Sequence, residues 1–407
     1  MSTERGHNLV ELSELGLDPG VPKQELRRLI TPKSVCEYRA LLASKASLPE
    51  GLILDPAAGS GGQLLAYGKY ISKHCVGVEL SPERAKYCGY VLSRANSTGS
   101  FMTICGDGID AHGVMAAVKT QIGVSSVSML HVDPARPMDT QKHSVSEMQP
   151  PLAKLLESWS EYISSGEQGP AMALDLSPRL AGQQMSEIEH IVTAIFPGTA
   201  MTWEWLSRGG GRVDRLCLHT GPLAHTPSVS KSVRLYNDGS FSVLHAREEE
   251  LDSEDSGWPN YEVMEGDTVA LVDPVVTKSR LRGVFEDRLG YNRGELIWAK
   301  KSDRRPLVVL REEIRPGSEA RPFVMAQGKA VGRLESDLSM MSIDSLAALA
   351  MENGISNIQI RCSCEPQLHK RITNRLSKIM GSVDGMSGFL IEDGGTKDLM
   401  LCRDVEK

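Results

Sequence analysis

Short apolar runs recur along the first half of the chain, separated by stretches with helical spacing. The run 52–55 (LILD) precedes a glycine-bearing turn and a helix over 62–70. The run 75–80 (CVGVEL) leads to a helix that Pro82 can start. Runs 101–107 (FMTICGD) and 127–133 (VSMLHVD) follow, each ending in an acid. A helix over 148–164, a strand over 171–176, a helix over 183–195 and strands over 200–206 and 212–220 complete seven strand-like segments. Such alternation predicts an α/β fold, a Rossmann-like parallel sheet with helices on both faces. Gly209–Gly211 permits a hairpin before the seventh strand, so that strand can run antiparallel.

Residues 1–50 read as a helical segment, with Thr31 as N-cap, Pro32 at the first helical position, and Val35, Tyr38, Leu41 and Leu42 on one face. Two alternating runs flank Asn237-Asp238-Gly239, a β-hairpin signal. The acidic stretch 247–257 reads as an exposed loop. Further on, short strands (PLVVL, NIQIRCS, GFLIED, LMLC) mix with helices near 343–352 and 365–379, an α+β pattern. The expected organisation is a helical segment (1–50), the α/β domain (51–225), a hairpin and acidic connection (226–275), and a small α+β domain (276–407).

Composition narrows this only in places. The chain of 407 residues is 41% apolar and 24% charged, an ordinary globular balance. Aromatics at 5% argue against a broad base-stacking platform. No apolar run approaches the roughly 18 residues that span a bilayer, and the first residues, MSTERGHNLVELSELG, lack the apolar core of a signal peptide. A cytoplasmic location is therefore expected. Eight scattered cysteines fit reduced thiols, and Cys362-x-Cys364 without a second pair is weak zinc evidence, so no metal is expected. The net charge of −7 is divided unevenly: residues 276–333 hold 14 Lys/Arg against 7 Asp/Glu. Such a division suits a chain that meets a polyanion through one region. A solvated basic face explains the same counts.

In open α/β sheets the ligand sits at the carboxyl ends of the strands. Those ends carry Asp55, Glu79, Asp107 and Asp133. Any one of them alone could be a helix cap, but all four after a glycine turn point to a site. Asp55-x-x-x-Gly59-x-Gly61 makes a tight turn over which a ligand can lie against bare backbone. Glu79, eighteen residues past Gly61, can accept from both hydroxyls of a ribose. The run Gly59-Ser-Gly61-Gly62-Gln63-Leu64 lacks the third glycine of a dinucleotide fingerprint, and an acidic rim repels a diphosphate. A ribose, an adenine, an amino acid and a sulfonium cation suit the rim better, which indicates S-adenosylmethionine (SAM).

On these residues, 52–138 resembles the class I SAM-dependent methyltransferases: Asp55 to Gly61 their first motif, Glu79 the ribose acid, Cys105-Gly106-Asp107 the adenine-side motif and Asp133-Pro134-Ala135-Arg136 the fourth. The resemblance implies that Asp55, Ala57, Gly59 and Gly61 line the methionine end. Glu79 would bind the ribose, Leu80 would pack on adenine, Asp107 with Gly108 would meet its amino group, and Asp133 would border the cofactor. The whole chain resembles more narrowly the methyltransferases with a C-terminal THUMP-like domain, through Asp133 to Arg136, Ser177-Pro178, the segment 203–218 and the segment 272–283. Gln63, where that family often has an acid, and Pro137, where a second arginine is common, depart from it.

Methyl transfer is an in-line displacement, so the protein's task is to place a nucleophile on the methyl axis. Asp133 and the Pro134 carbonyl could accept the two N–H groups of an exocyclic amine, and Arg136 could hold a phosphate or a base edge. Adenine N6 enzymes usually carry an aromatic where Ala135 and Arg136 stand. Cys105 and Cys217 sit in no recognisable nucleophile motif, and His131 reads as a packed core residue. THUMP-like domains imply structured RNA (tRNA or rRNA) as partner, with Arg280, Arg282, Arg288, Arg293, Lys300, Lys301, Arg304 and Arg305 available to phosphates. A SAM-binding RNA-interaction protein without transferase activity and a DNA adenine N6-methyltransferase are the competing readings.

Overall fold

The structure is a computed structural model of the chain. It describes residues 31–93, 99–135, 145–253, 258–259, 261–292, 294–302, 304–334, 337–381, 384–394 and 398–405. The chain divides into two compact units. One comprises Met1–Glu204, Arg215–Val229 and Leu235–Ser240; the other Trp205–Asp214, Ser230–Arg234 and Phe241–Lys407.

The first part of the chain runs α1 (Lys33–Ser44), β1 (Leu52–Asp55), α2 (Gly62–Tyr70), β2 (Cys75–Glu79), α3 (Pro82–Ser93), β3 (Phe101–Cys105), α4 (Ala111–Ile122), β4 (Val127–Val132) and α5 (Leu152–Trp159). A two-residue pair, β5 (Ser165–Gly166) and β6 (Gly169–Pro170), precedes β7 (Met172–Leu176), α6 (Gly182–Ile195), β8 (Met201–Ser207) and β9 (Arg215–Thr220). The hairpin β10 (Ser230–Leu235) and β11 (Phe241–Ala246) follows, and Gly239 at φ 86° closes its turn. The sheet has nine strands in the order β11-β10-β8-β9-β7-β4-β1-β2-β3, the seven expected and the hairpin. Neighbours β1–β2, β1–β4, β2–β3 and β4–β7 are parallel, and β9 runs antiparallel to β7, as the glycine turn allowed. The strand order reverses beside β1, with β2 and β3 on one side and β4 and β7 on the other. That reversal marks where a ligand crevice opens.

All residues of β1, β2, β4 and β7 are buried, the signature of a sheet covered on both faces. Helix α1 departs from expectation. It begins at Lys33, with Pro32 rather than Thr31 in the cap position, because Pro32 holds an extended ψ of 138°. Its buried residues are Val35, Cys36, Tyr38, Arg39, Ala40 and Ala43, whereas Leu41 and Leu42 are half-buried. The helix is turned by polar anchors: the Tyr38 hydroxyl donates to Glu204 Oε2 at 2.9 Å, and Arg39 reaches Asp175. Residues 1–30 of the expected helical segment lie outside the described residues. The helix expected over 148–164 shrinks to α5 because Pro150 and Pro151 cannot supply helical N–H donors. Among the described residues no helix is long and apolar enough to cross a membrane.

The second unit contains β12 (Thr268–Val272), α7 (Pro274–Lys278), α8 (Arg282–Leu289), β13 (Ile297–Lys300), β14 (Leu307–Leu310), β15 (Val324–Leu334), α9 (Ile343–Glu352), β16 (Ile355–Ile360), α10 (Pro366–Met380), β17 (Met386–Glu392) and β18 (Leu399–Asp404). Its seven-stranded sheet has the order β13-β14-β12-β15-β18-β17-β16. One core gathers Val269, Leu271, Leu307, Phe389 and Met400. Another joins α9 and α10 to the sheet through Leu346, Ile358, Ile372 and Leu390.

Candidate functional site

The turn after β1 is built by backbone conformation. Gly59 and Gly61 adopt φ 52° and 75°, left-handed values that side chains avoid. Gly61 is doubly constrained, since a Cβ there would come within 2.7 Å of Cys88 Sγ on α3. Asp55, buried at the end of β1, accepts the Ala57 N–H through Oδ1 at 3.0 Å, and the Ala58 N–H donates to the Val78 carbonyl at 2.9 Å. The turn thereby lies across the end of β2.

Glu79 closes that arrangement. Its Oε2 accepts the Gly59 N–H at 3.1 Å. Its Oε1 accepts the Ser81 N–H at 2.9 Å and two N–H groups of Arg84, from Nε at 3.0 Å and Nη2 at 2.8 Å. A forked guanidinium holds the carboxylate in one orientation. Arg84 has no strand-end position and was not among the expected site residues; its only signal in the sequence is its place in the first turns of the helix after Glu79. The neighbouring Leu80 is 70% exposed, an apolar side chain next to the carboxylate in sequence.

The turn after β3 meets the turn after β1 directly. A Cβ on Gly108 would lie 2.0 Å from the Pro56 carbonyl oxygen, so only glycine fits. Trp159 of α5 pins this turn by donating from Nε1 to the Gly108 carbonyl at 2.7 Å. Asp107 is exposed, and its Oδ1 accepts the Ile109 N–H at 3.0 Å. Asp55, Ala57, Gly59, Gly61, Glu79 and Gly108 therefore share one continuous backbone junction, with Leu80 and Asp107 at its exposed margin.

Asp133 follows β4 and is half-buried, with Pro134 buried and Ala135 exposed. Ala135 exchanges both backbone hydrogen bonds with Gln149, at 2.9 and 3.0 Å, which fixes the path of the chain just beyond Asp133. Arg136 and Pro137 lie outside the described residues.

Behind these strand ends is a buried polar layer that the linear pattern did not disclose. The registers Ile53↔Met129, His131↔Ala173 and Asp175↔Cys217 put Asp55, His131, Asp175 and Cys217 on one face of the sheet. Helices α1 and α2 cover that face. Arg39 Nη2 stands 2.9 Å from Asp175 Oδ1, with both side chains at most 2% exposed. Burial alone would raise the Asp175 carboxyl, but Arg39 and then Arg215 bring it below the usual carboxylate range. The Tyr67 hydroxyl lies 3.3 Å from His131 Nδ1, and Gln63 Nε2 donates to the Cys36 carbonyl at 3.2 Å. Burial, with Arg39 adding to it, pushes the His131 imidazole down to about 3, so the ring is neutral, as a packed core histidine should be. Asp55 goes the other way. Burial pushes its carboxyl up to about 8, the Ala57 N–H opposes this, and Asp133 and Glu79 add to it. A cation near Asp55 would reverse that shift.

The site thus offers a bare turn, an oriented carboxylate, an exposed leucine and an acid whose charge awaits a cation. These features fit a nucleoside joined to a positively charged amino-acid chain. No protein-family model matches the chain, and no curated protein matches it in sequence. Among solved structures, the chain is similar to one described as a candidate methyltransferase from Porphyromonas gingivalis W83, with TM-score 0.59 at 16% identity over 95% of this chain and 84% of that one. Looser likenesses cover about half of this chain. The O-methyltransferase from Bacillus cereus in complex with SAH gives TM-score 0.36 at 12% identity over 52% of this chain and 87% of that one. The EcoKI M protein of a type I restriction enzyme gives 0.31 at 13% identity over 51% and 48%. The first likeness shows the fold: this chain has the α/β architecture of that structure.

Proposed function

We propose that the chain is a SAM-dependent methyltransferase acting on a base of structured RNA, tRNA or rRNA, with its C-terminal part THUMP-like and RNA-binding. The observation that carries the cofactor half is the bond from the Gly59 N–H to Glu79 Oε2, which makes the bare turn and the ribose acid one unit. Bound SAM supplies an electrophilic methyl group on a sulfonium. Glu79, oriented by Arg84 and Ser81, accepts ribose hydroxyls; Leu80 covers one face of the adenine; Asp107 accepts from its amino group. Asp55 gives up its proton and holds its charge when a cation enters.

The acceptor side rests on Asp133 and Pro134. A carboxylate and a main-chain carbonyl accepting both N–H groups of an exocyclic amine turn the nitrogen lone pair along the transfer axis. The Ala135–Gln149 bridge keeps this pair of acceptors in place. The RNA half is supported by the basic stretch 276–333 and by the family resemblance of the sequence.

Mass spectrometry of modified nucleosides from total RNA, with and without the gene, tests the substrate. Loss of one methylated base on deletion is expected. An unchanged RNA profile together with methyl transfer to a protein would remove the RNA assignment and leave the cofactor reading intact.

A further inference from the structure

Most cations of the basic stretch are engaged within the second unit. Arg280 Nε donates to the Asp252 carbonyl at 2.7 Å. Arg282 is paired with Asp252 at 3.4 Å and lies 5.0 and 5.7 Å from the rings of Trp258 and Trp298. Arg288 is paired with Glu319 at 2.8 Å, and Lys300 with Glu392. Arg293 lies outside the described residues. Arg305 differs: its backbone N–H is bonded to Ser302 Oγ at 3.1 Å, and its guanidinium makes no ion pair among the described residues.

The sheet brings a second arginine to it from 56 positions further along the sequence. β13 and β17 stand far apart in strand order, yet Lys300 at the end of β13 bonds Glu392 at the end of β17, so the sheet curls until these ends meet. Arg361, just past β16, donates its backbone N–H to the Leu390 carbonyl at 2.8 Å, two residues before Glu392, and Arg305 stands two residues before Leu307, the register partner of Lys300. Arg361 Nη2 donates to Gln359 Oε1 at 2.6 Å, while its Nε is sealed from solvent without a hydrogen-bond partner. Glu392 has both oxygens committed, Oε2 to Lys300 and Oε1 to the Ser363 N–H at 2.6 Å. Burial and then the charge of Arg305 hold the Arg361 guanidinium below its ordinary value, and Asp404 offsets only part of this. Two like charges kept together in a half-buried place cost free energy that an anion would relieve. A planar fork is matched to the paired oxygens of a phosphate.

We propose that Arg305 and Arg361, beside the Lys300–Glu392 pair, form a phosphodiester-binding subsite for the RNA backbone. This rests on the RNA reading given above and locates one point of contact within it.

Fluorescence anisotropy of the full chain with a labelled tRNA transcript, titrated between about 50 and 200 mM salt, tests the subsite. Arg305→Gln and Arg361→Gln should each weaken binding by about 5- to 10-fold, and the pair together should lower the slope of log affinity against log salt by about 1–2. Arg375→Gln, which lies outside the basic stretch and pairs with Asp344 at 3.4 Å, should bind within about twofold of the unaltered chain. Arg305 is half-exposed, so its variant stays informative even if Arg361→Gln fails to fold, which thermal melting would reveal. If the chain binds RNA and the double variant binds equally with the same slope, the subsite is wrong and the RNA reading stands. If the unaltered chain binds no RNA, both fail. A rise in melting temperature with inorganic phosphate alone, lost in the double variant, would then assign the two arginines to free phosphate instead.

Discussion

The main-chain N–H of Gly59 and Oε2 of Glu79 are hydrogen-bonded at 3.1 Å, so the turn that ends β1 is shaped by the acid that ends β2. Removing the carboxylate should release the turn and the ribose together. Glu79→Ala is expected to weaken SAM binding by about 10- to 100-fold, the range for hydrogen bonds to a charged group. Glu79→Gln should lose less, since its amide oxygen can still accept from Gly59. Equal losses in both variants would mean that charge, rather than the hold on the turn, governs the site.

Arg39 and Asp175 form a pair closed off from solvent. Arg39→Met leaves a buried carboxylate and should destabilise the fold by about 3–5 kcal/mol in chemical denaturation, with Arg215, 3.9 Å from Asp175, limiting the loss. Arg39→Met combined with Asp175→Leu should recover most of it. A double variant no more stable than the single one would show that α1 is not anchored through this pair.

How much of this site could be read in the sequence divides along the same line. The strand ends were legible because each acid closes a short apolar run and two glycines follow the first. Arg39 and Asp175 were not, since no local period links residues from α1 and β7, and an arginine in an apolar helix reads as surface. Trp159 and Gly108 are paired for the same non-local reason. In the second unit β15 was missed because Gly328 and Gly332 interrupt its alternation and the polar Gln327 is buried inside it, bonded to the Ile314 backbone. The strands and turns that local alternation and glycine positions determine were visible, and the cap and face of α1 and the parts determined by distant partners were not.

Two titrations of opposite sign bear on stability. Asp55 keeps its proton to about 8 in the folded chain and loses it near the ordinary carboxylate value, about 3.9, when unfolded. The folded state binds more protons between those values, so stability is full below the lower one and declines as pH rises to the upper. His131, pushed down to about 3, contributes stability that is present above about pH 6.5 and is lost as pH falls. Above about pH 6.5 only the Asp55 slope remains of the two. The melting temperature of the unliganded protein should therefore fall between about pH 6.5 and 8, and Asp55→Asn should remove that fall. An identical decline in the variant would contradict the protonated state of Asp55.

Under the proposed function, Asp133 orients the acceptor. Asp133→Asn should reduce single-turnover methyl transfer by about 100-fold or more while changing SAM affinity by less than about threefold, because one acceptor of the oriented amine becomes a donor. Loss of cofactor binding in parallel with rate would reassign Asp133 to the cofactor side.

Calorimetric titration of the full chain with SAM tests the central claim most directly. One molecule should bind per chain, S-adenosylhomocysteine should displace it, and a nicotinamide dinucleotide should give no heat. Absence of binding by SAM, or tighter binding of the dinucleotide, would show that the turn at Gly59 and the carboxylate of Glu79 were built for a different ligand.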